Sequence, residues 1–172
     1  LSHSTIVAIG NGAGGQESVD EAYRKYFQQR IDRIDPLTVT RSMISAAASQ
    51  VSIHLGLRGP TWAVSTACAS STHAIGQAFH MMRAGLAPTA IAGGTEACLT
   101  FGTLKSWEAL HVLTSDTCRP FSRTRSGIVL GEGAAMLVLE TRDHAMARGA
   151  RIYAEIMGFG QNADAGDLIA AD

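Results

Sequence analysis

The run Thr66-Ala67-Cys68-Ala69-Ser70-Ser71 sets a thiol where a nucleophile could work. Before it, Thr61-Trp62-Ala63-Val64-Ser65 is β-branched and aromatic and reads as a short buried strand. After it, Ile75, Phe79 and Met82 recur every three or four residues, which predicts a helix from Ser70 to Arg83. Cys68 then occupies a strand-to-helix turn close to a helix N-terminus. Unpaired backbone N–H groups and the positive end of the helix dipole stabilise an anion there, and the thiolate is the attacking form of cysteine. A small buried hydrophobe in a tight turn fits the same residues, because free cysteine is among the most buried residue types. The local run leaves both readings open.

The elements around this turn alternate. Ser4 to Ile9 reads as a strand that ends in the turn Gly10-Asn11-Gly12-Ala13-Gly14-Gly15. A helix is predicted from Ser18 to Gln28, with Glu17, Asp20 and Glu21 near the positive end of its dipole. Asp35-Pro36 punctuates the chain, and a second helix from about Ser42 to Leu55 carries Met43, Ala47, Val51 and Leu55 on one face. Gly85 and Pro88 close the helix after Cys68, and Thr89 to Ala92 is a buried strand meeting Gly93-Gly94. Ala134 to Glu140 is another, its Met136-Leu137-Val138-Leu139 too continuous for a half-exposed strand. His144 to Arg148 makes a short helix and Ile152 to Phe159 a last strand. Alternating strands and helices imply a layered α/β domain, with no internal repeat or linker within it.

Composition narrows the partners. The 172 residues carry a net charge of −1, which gives no reason to expect nucleic acid or a polyanionic substrate. No apolar run reaches membrane-spanning length. Cys68, Cys98 and Cys118 form an odd set at spacings matching no zinc pattern, and reduced thiols in a cytosol account for them. The turn Gly10-x-Gly12-x-x-Gly15 follows a strand and fits the dinucleotide fingerprint literally. The acidic residue that a ribose needs is missing, since Asp35 falls in a Pro-flanked loop. The six histidines are scattered, so no metal set converges. His73, five residues past Cys68, reads as a solvated helix histidine.

Several ordered motifs carry a resemblance. Gly56-Leu57-Arg58-Gly59-Pro60, Thr66-Ala67-Cys68-Ala69-Ser70, Ala92-Gly93-Gly94-Thr95-Glu96, Arg119-Pro120-Phe121 and Gly127-Ile128-Val129-Leu130-Gly131-Glu132-Gly133-Ala134 together resemble the nucleophile region of the β-ketoacyl-acyl-carrier-protein synthases. These condensing enzymes of fatty acid and polyketide synthesis have the thiolase-like fold. The Thr-Ala-Cys signature is most similar to the elongating synthases of type II fatty acid synthesis. Modular polyketide enzymes more often carry Asp where this chain has Ser65. The resemblance implies a thiolase-like layered α/β/α fold, with residues 1–172 a single partial domain from the half that carries the nucleophile. It also implies that the N-terminal start and a C-terminal half, with two histidines, a lysine and a gating phenylalanine, lie outside this sequence. The segment alone would then complete no condensation.

The same resemblance implies that Cys68 is the acyl acceptor and that its backbone N–H is an oxyanion-hole donor. It places Ala13 at an acyl-pocket gate where relatives carry a bulkier aliphatic residue, Trp107 near the acyl entrance, and Thr38 against the pocket of a dimer partner. Arg33 and His111 match basic positions that meet the acidic carrier protein. No metal or organic cofactor is implied, only the phosphopantetheine arm of acyl-carrier protein. A cytoplasmic homodimer is expected, Thr61 to Ser65 pairing with its twin. Glu96 matches a glutamate in a buried polar network, and Ser122 and Ser126 replace the aspartates usual near Arg-Pro-Phe and before the Gly-x-Val-Leu-Gly run. The alternatives are a polyketide ketosynthase and a noncatalytic chain-length-determining partner, although such partners usually replace the nucleophile.

Overall fold

The computed structural model describes residues 3–167. Four strands form one sheet in the order β2-β1-β3-β4, from β1 (Ile6–Gly10), β2 (Thr61–Val64), β3 (Thr89–Glu96) and β4 (Gly133–Glu140). β1 pairs in parallel with both β2 and β3, and β4 runs antiparallel to β3. Side chains alternate across a strand, so β1 feeds two cores. Ile6 and Ala8 join Val64, Ala90 and Ala92 beneath Ala74, Ala78 and Met82 of helix α4 (Ser70–Arg83). Val7, Ile9 and Ile91 face the other way, onto Ala48 of helix α3 (Ala46–Leu55) and Leu57. A parallel pair covered on both faces reads as a continuous apolar run, as Ile6-Val7-Ala8-Ile9 does. The result is the expected α/β/α layering.

The helical regions refine the expected boundaries. The first helix starts earlier, as α1 (Gln16–Tyr23), and passes into a π-helical stretch over Arg24–Gln28. The second starts later than expected, as α3, and an unexpected helix α2 (Thr38–Ser42) precedes it, the two parted by Met43, which is extended at φ −66° and ψ 140°. The break coincides with the crossing of the glycine-rich turn. A Cβ on Gly15 would fall 2.0 Å from the Arg41 carbonyl oxygen, and one on Gly14 2.7 Å from that of Ser42. Gly56, at φ 65°, ends α3 in the left-handed conformation favoured there.

Three expectations need correction. β4 is present but not buried: it is an edge strand, with Leu137 and Val138 49% and 57% exposed. Only Leu139 and Met136 of this strand pack against the two cores, since neither helix layer reaches over the sheet edge. Residues 152–159, expected as a strand, hold no regular element and pair with no strand among the described residues. Helix α5 (Phe101–Ala109) was not expected, although Thr100 caps it by accepting from the Thr103 N–H at 3.3 Å. A last helix, α6 (Arg142–Ala147), lies close to the predicted one. Among the described residues no helix is long and apolar enough to cross a membrane.

Candidate active site at the β2–α4 turn

Cys68 projects from the turn that joins β2 to α4, two residues before the helix starts, and it is exposed. The buried-hydrophobe reading of this cysteine therefore fails. Ala67, just before it, is left-handed at φ 50°, a conformation that favours glycine and costs an alanine about 1–2 kcal/mol. The turn is held against that strain. Ser70, 3% exposed, accepts from the Thr66 N–H at 2.9 Å and donates to the Ala67 carbonyl at 2.6 Å. The Ala69 and Ser70 N–H groups close onto Thr66 and Ala67 carbonyls. No group among the described residues accepts from the Cys68 backbone N–H. An exposed thiol beside a spare amide at a helix N-terminus is an arrangement that can attack a carbonyl and hold the oxyanion that results.

Glycines let this turn sit directly on the sheet. A Cβ on Gly10 would fall 2.3 Å from the Ser70 carbonyl carbon, and one on Gly94 1.8 Å from Ser71 Oγ. No side chain fits at Gly10 without lifting α4, and none fits at Gly94 unless Ser71 moves.

The glycine-rich turn forms the neighbouring wall, since a Cβ on Gly12 would lie 3.9 Å from the Ala67 carbonyl oxygen. Its amides are already spoken for. Glu96 Oε2 accepts from Gly12 at 2.9 Å and Ala13 at 3.1 Å, and Asn11 Oδ1 accepts from Gly14 at 2.5 Å. Asn11 Nδ2 donates in turn to the Thr95 carbonyl at 3.0 Å. In a phosphate cradle such N–H groups face the ligand; here they face a carboxylate of the chain itself. Glu96 thus has partners on one oxygen, while Oε1 is buried with none among the described residues. The sequence held the signal for Asn11, a lone amide in a glycine run, but not its partner 84 residues away.

The structure distributes the remaining candidates. Ala13 is half-buried in the glycine-rich turn, its N–H donating to Glu96. Thr38 begins α2 and Trp107 lies on α5, both half-buried, and no hydrogen bond or ring contact among the described residues ties either to Cys68. Arg33 is exposed in the irregular stretch before α2, and His111 is exposed just past α5 at φ 57°. His73 departs from the solvated reading: it is half-buried, and its Nδ1 lies 2.8 Å from Thr66 Oγ1. Ser126 and Ser122, in place of aspartates, bond hydroxyl to hydroxyl with Thr114 at 2.7 Å and Thr124 at 3.1 Å. Cys98 is half-buried, and burial first, then the charges of Glu96 and Glu132, pushes its thiol up from the ordinary range. That makes it a poorer nucleophile. No cluster of metal-ligating side chains occurs among the described residues.

Residues 1–145 match the family model for the β-ketoacyl synthase N-terminal domain. The chain belongs to the β-ketoacyl synthase family. It is 50% identical over 167 residues to nodulation protein E of Rhizobium leguminosarum bv. trifolii, covering 97% of the chain and 42% of that protein. It is 42% identical over 164 residues to 3-oxoacyl-[acyl-carrier-protein] synthase 2 of Staphylococcus aureus, covering 92% and 41%. A β-ketoacyl synthase structure from Burkholderia phymatum STM815 superposes with a TM-score of 0.87 at 32% identity, over 98% of this chain and 43% of that one. The ishigamide ketosynthase/chain length factor gives 0.84 at 28% identity, over 90% and 39%. The fold is therefore that of the thiolase-like ketosynthases, and the chain spans about two-fifths of these relatives' length.

Proposed function

We propose that this chain supplies the nucleophile of a condensing enzyme that extends an acyl chain by two carbons, with Cys68 as the acyl acceptor. The observation that carries the reading is the turn itself, an exposed thiol and an unpartnered amide at the start of α4. The Cys68 thiolate attacks an acyl thioester on acyl-carrier protein. A bond forms from Sγ to the acyl carbon, the bond from that carbon to the carrier's sulfur breaks, the carrier leaves as a thiolate that takes a proton from water, and an acyl-enzyme remains. The Cys68 N–H donates to the oxyanion, a contribution worth ~3 kcal/mol where such a donor has been removed. Malonyl-carrier protein then loses carbon dioxide, and the resulting enolate attacks the acyl carbon and expels the Cys68 thiolate. The product is a β-ketoacyl thioester. The resemblance assigns the enolate-stabilising histidines to sequence beyond this chain.

Neither a metal nor an organic cofactor enters these steps; the pantetheine arm carries both substrates. The occupied amides of the glycine-rich turn support reading it as a pocket wall. In this reading Ala13 leaves the acyl pocket open to longer chains, Trp107 borders its entrance, and Thr38 reaches the pocket of a second subunit. Arg33 and His111 meet the acidic carrier protein. The free edge of β2, outermost in the sheet, suits pairing with its own copy across a two-fold axis. Three free cysteines suit a cytoplasmic setting.

A second reading keeps the chemistry and changes the pathway. Likeness to the ketosynthase of a type II polyketide synthase in complex with its acyl-carrier protein favours a polyketide-type enzyme. A noncatalytic chain-length partner is disfavoured by Cys68 itself. Turnover of malonyl-carrier protein with acyl primers of graded length, by the intact protein and by Cys68→Ala, tests the proposal. Loss of condensation in the variant supports it, and condensation at the parent rate overturns it.

A further inference from the structure

Two side chains of α4 reach back to the Cys68 turn. Ser70 grips its backbone, as described, and His73 grips Thr66 through a 2.8 Å contact between Nδ1 and Thr66 Oγ1. Either tautomer serves. With the proton on Nε2 the Thr66 hydroxyl donates to Nδ1, and with it on Nδ1 the ring donates to Thr66. The ring is itself held. Phe159 arrives from the irregular stretch after α6 and lies edge-on to His73 at 6.0 Å and to His80 at 5.7 Å between ring centroids. It occupies the space above Gly76, where a Cβ would come within 2.3 Å of its Cδ2. His73, Gly76 and His80 fall on one side of α4 at helical spacing, so a single aromatic ring wedges both imidazoles.

We propose that His73 is a positioning residue for acyl transfer, and that Phe159 is the wedge that fixes it. The inference rests on Cys68 being the acyl acceptor. Ala67 is strained, and the turn relaxes unless its flanks are pinned. Thr66 is the flank on the strand side, and His73 is the side chain that bonds its hydroxyl. Releasing Thr66 lets Ala67 leave the left-handed region, which redirects both the Cys68 amide and Sγ. That misplaces the reacting atoms without removing any of them, so the loss falls on kcat.

The test uses the intact protein, with kcat and KM for condensation and the acylated residue mapped by mass in every variant. His73→Ala and Thr66→Val should each lower kcat about 10- to 100-fold, the scale set by small misplacements of reacting groups. KM should stay near that of the parent. His73→Asn should restore most of kcat, because an amide placed near Nδ1 can donate to or accept from Thr66. The His73→Ala/Thr66→Val double variant should be no slower than either single one, as both remove the same bond. Parent-like kcat in both single variants, or losses that multiply in the double, overturns the inference. Should His73→Ala fail to fold, the near-isosteric Thr66→Val decides alone. An acyl group mapped away from Cys68 refutes the nucleophile reading instead, which separates the two failures.

Discussion

Gly10 of β1 and Gly94 of β3 are register partners in the parallel ladder, and the first turn of α4 rests on both. This pair sets the height of the nucleophile above the sheet. Gly94→Ala places a methyl group where Ser71 Oγ now lies, and Gly10→Ala places one against the backbone of Ser70. Each should destabilise the protein by about 1–3 kcal/mol, the range for overpacking. Gly10→Ala should be the worse, since backbone yields less than a side chain. Chemical denaturation gives the first quantity, and the rate of Cys68 alkylation by iodoacetamide should fall in both variants.

Glu96 is the second support, and it reaches the glycine-rich turn from the end of β3. Glu96→Ala leaves the exposed Gly12 amide and the half-buried Ala13 amide without their acceptor, at about 0.5–1.5 kcal/mol, the net worth of an ordinary hydrogen bond. Glu96→Gln keeps one carbonyl oxygen and should lose less. Hydrogen exchange at Gly12 and Ala13 reads this directly: fast in the alanine variant, intermediate in the glutamine variant, slow in the parent.

At the far edge of the sheet, Glu140 holds α6 to β4. It accepts from Arg148 Nε at 2.8 Å and from His144 Nδ1 at 2.7 Å, with a further bond from Arg148 Nη2. These bonds, those of Arg148 foremost and those of His144 next, pull its carboxyl down from 4.5 to about 2. The folded value lies below the unfolded one, so the stabilisation is full above pH 4.5 and is lost as pH falls towards 2. Arg148→Gln should raise the Glu140 titration midpoint, followed by the NMR shift of its carboxyl carbon, and should move acid unfolding to higher pH.

Ala13 offers a test of the pocket. Ala13→Ile puts a branched side chain on the glycine-rich turn. Condensation with long acyl primers should fall while short primers keep their rate, seen in product lengths by mass spectrometry. Equal loss at all lengths would show that position 13 supports the turn and gates nothing.

Much of the site was legible because its elements are local and strongly patterned. The helix predicted from Ser70 to Arg83 is α4 residue for residue, and β1, β2 and β3 lie within a few residues of their expected places. What escaped depends on contacts between distant residues. The separate helix α2 and the extended Met43 after it lie where Gly14 and Gly15 press on Arg41 and Ser42, nearly thirty residues on, which no periodicity records. β4 looked buried because its apolar run is continuous, but whether an edge strand is covered depends on what lies beside it. His73 looked solvated because helical spacing turns it from Cys68; the threonine it grips and the phenylalanine that wedges it enter from other elements.

The account stands on one covalent bond. The intact protein should be mixed with an acyl-carrier protein bearing a labelled acyl thioester, without malonyl substrate, then digested and mapped by mass. The mass of one acyl group on the peptide containing Cys68, absent from Cys68→Ala, is the predicted result. An acyl group on any other residue, or one that persists in Cys68→Ala, would contradict it.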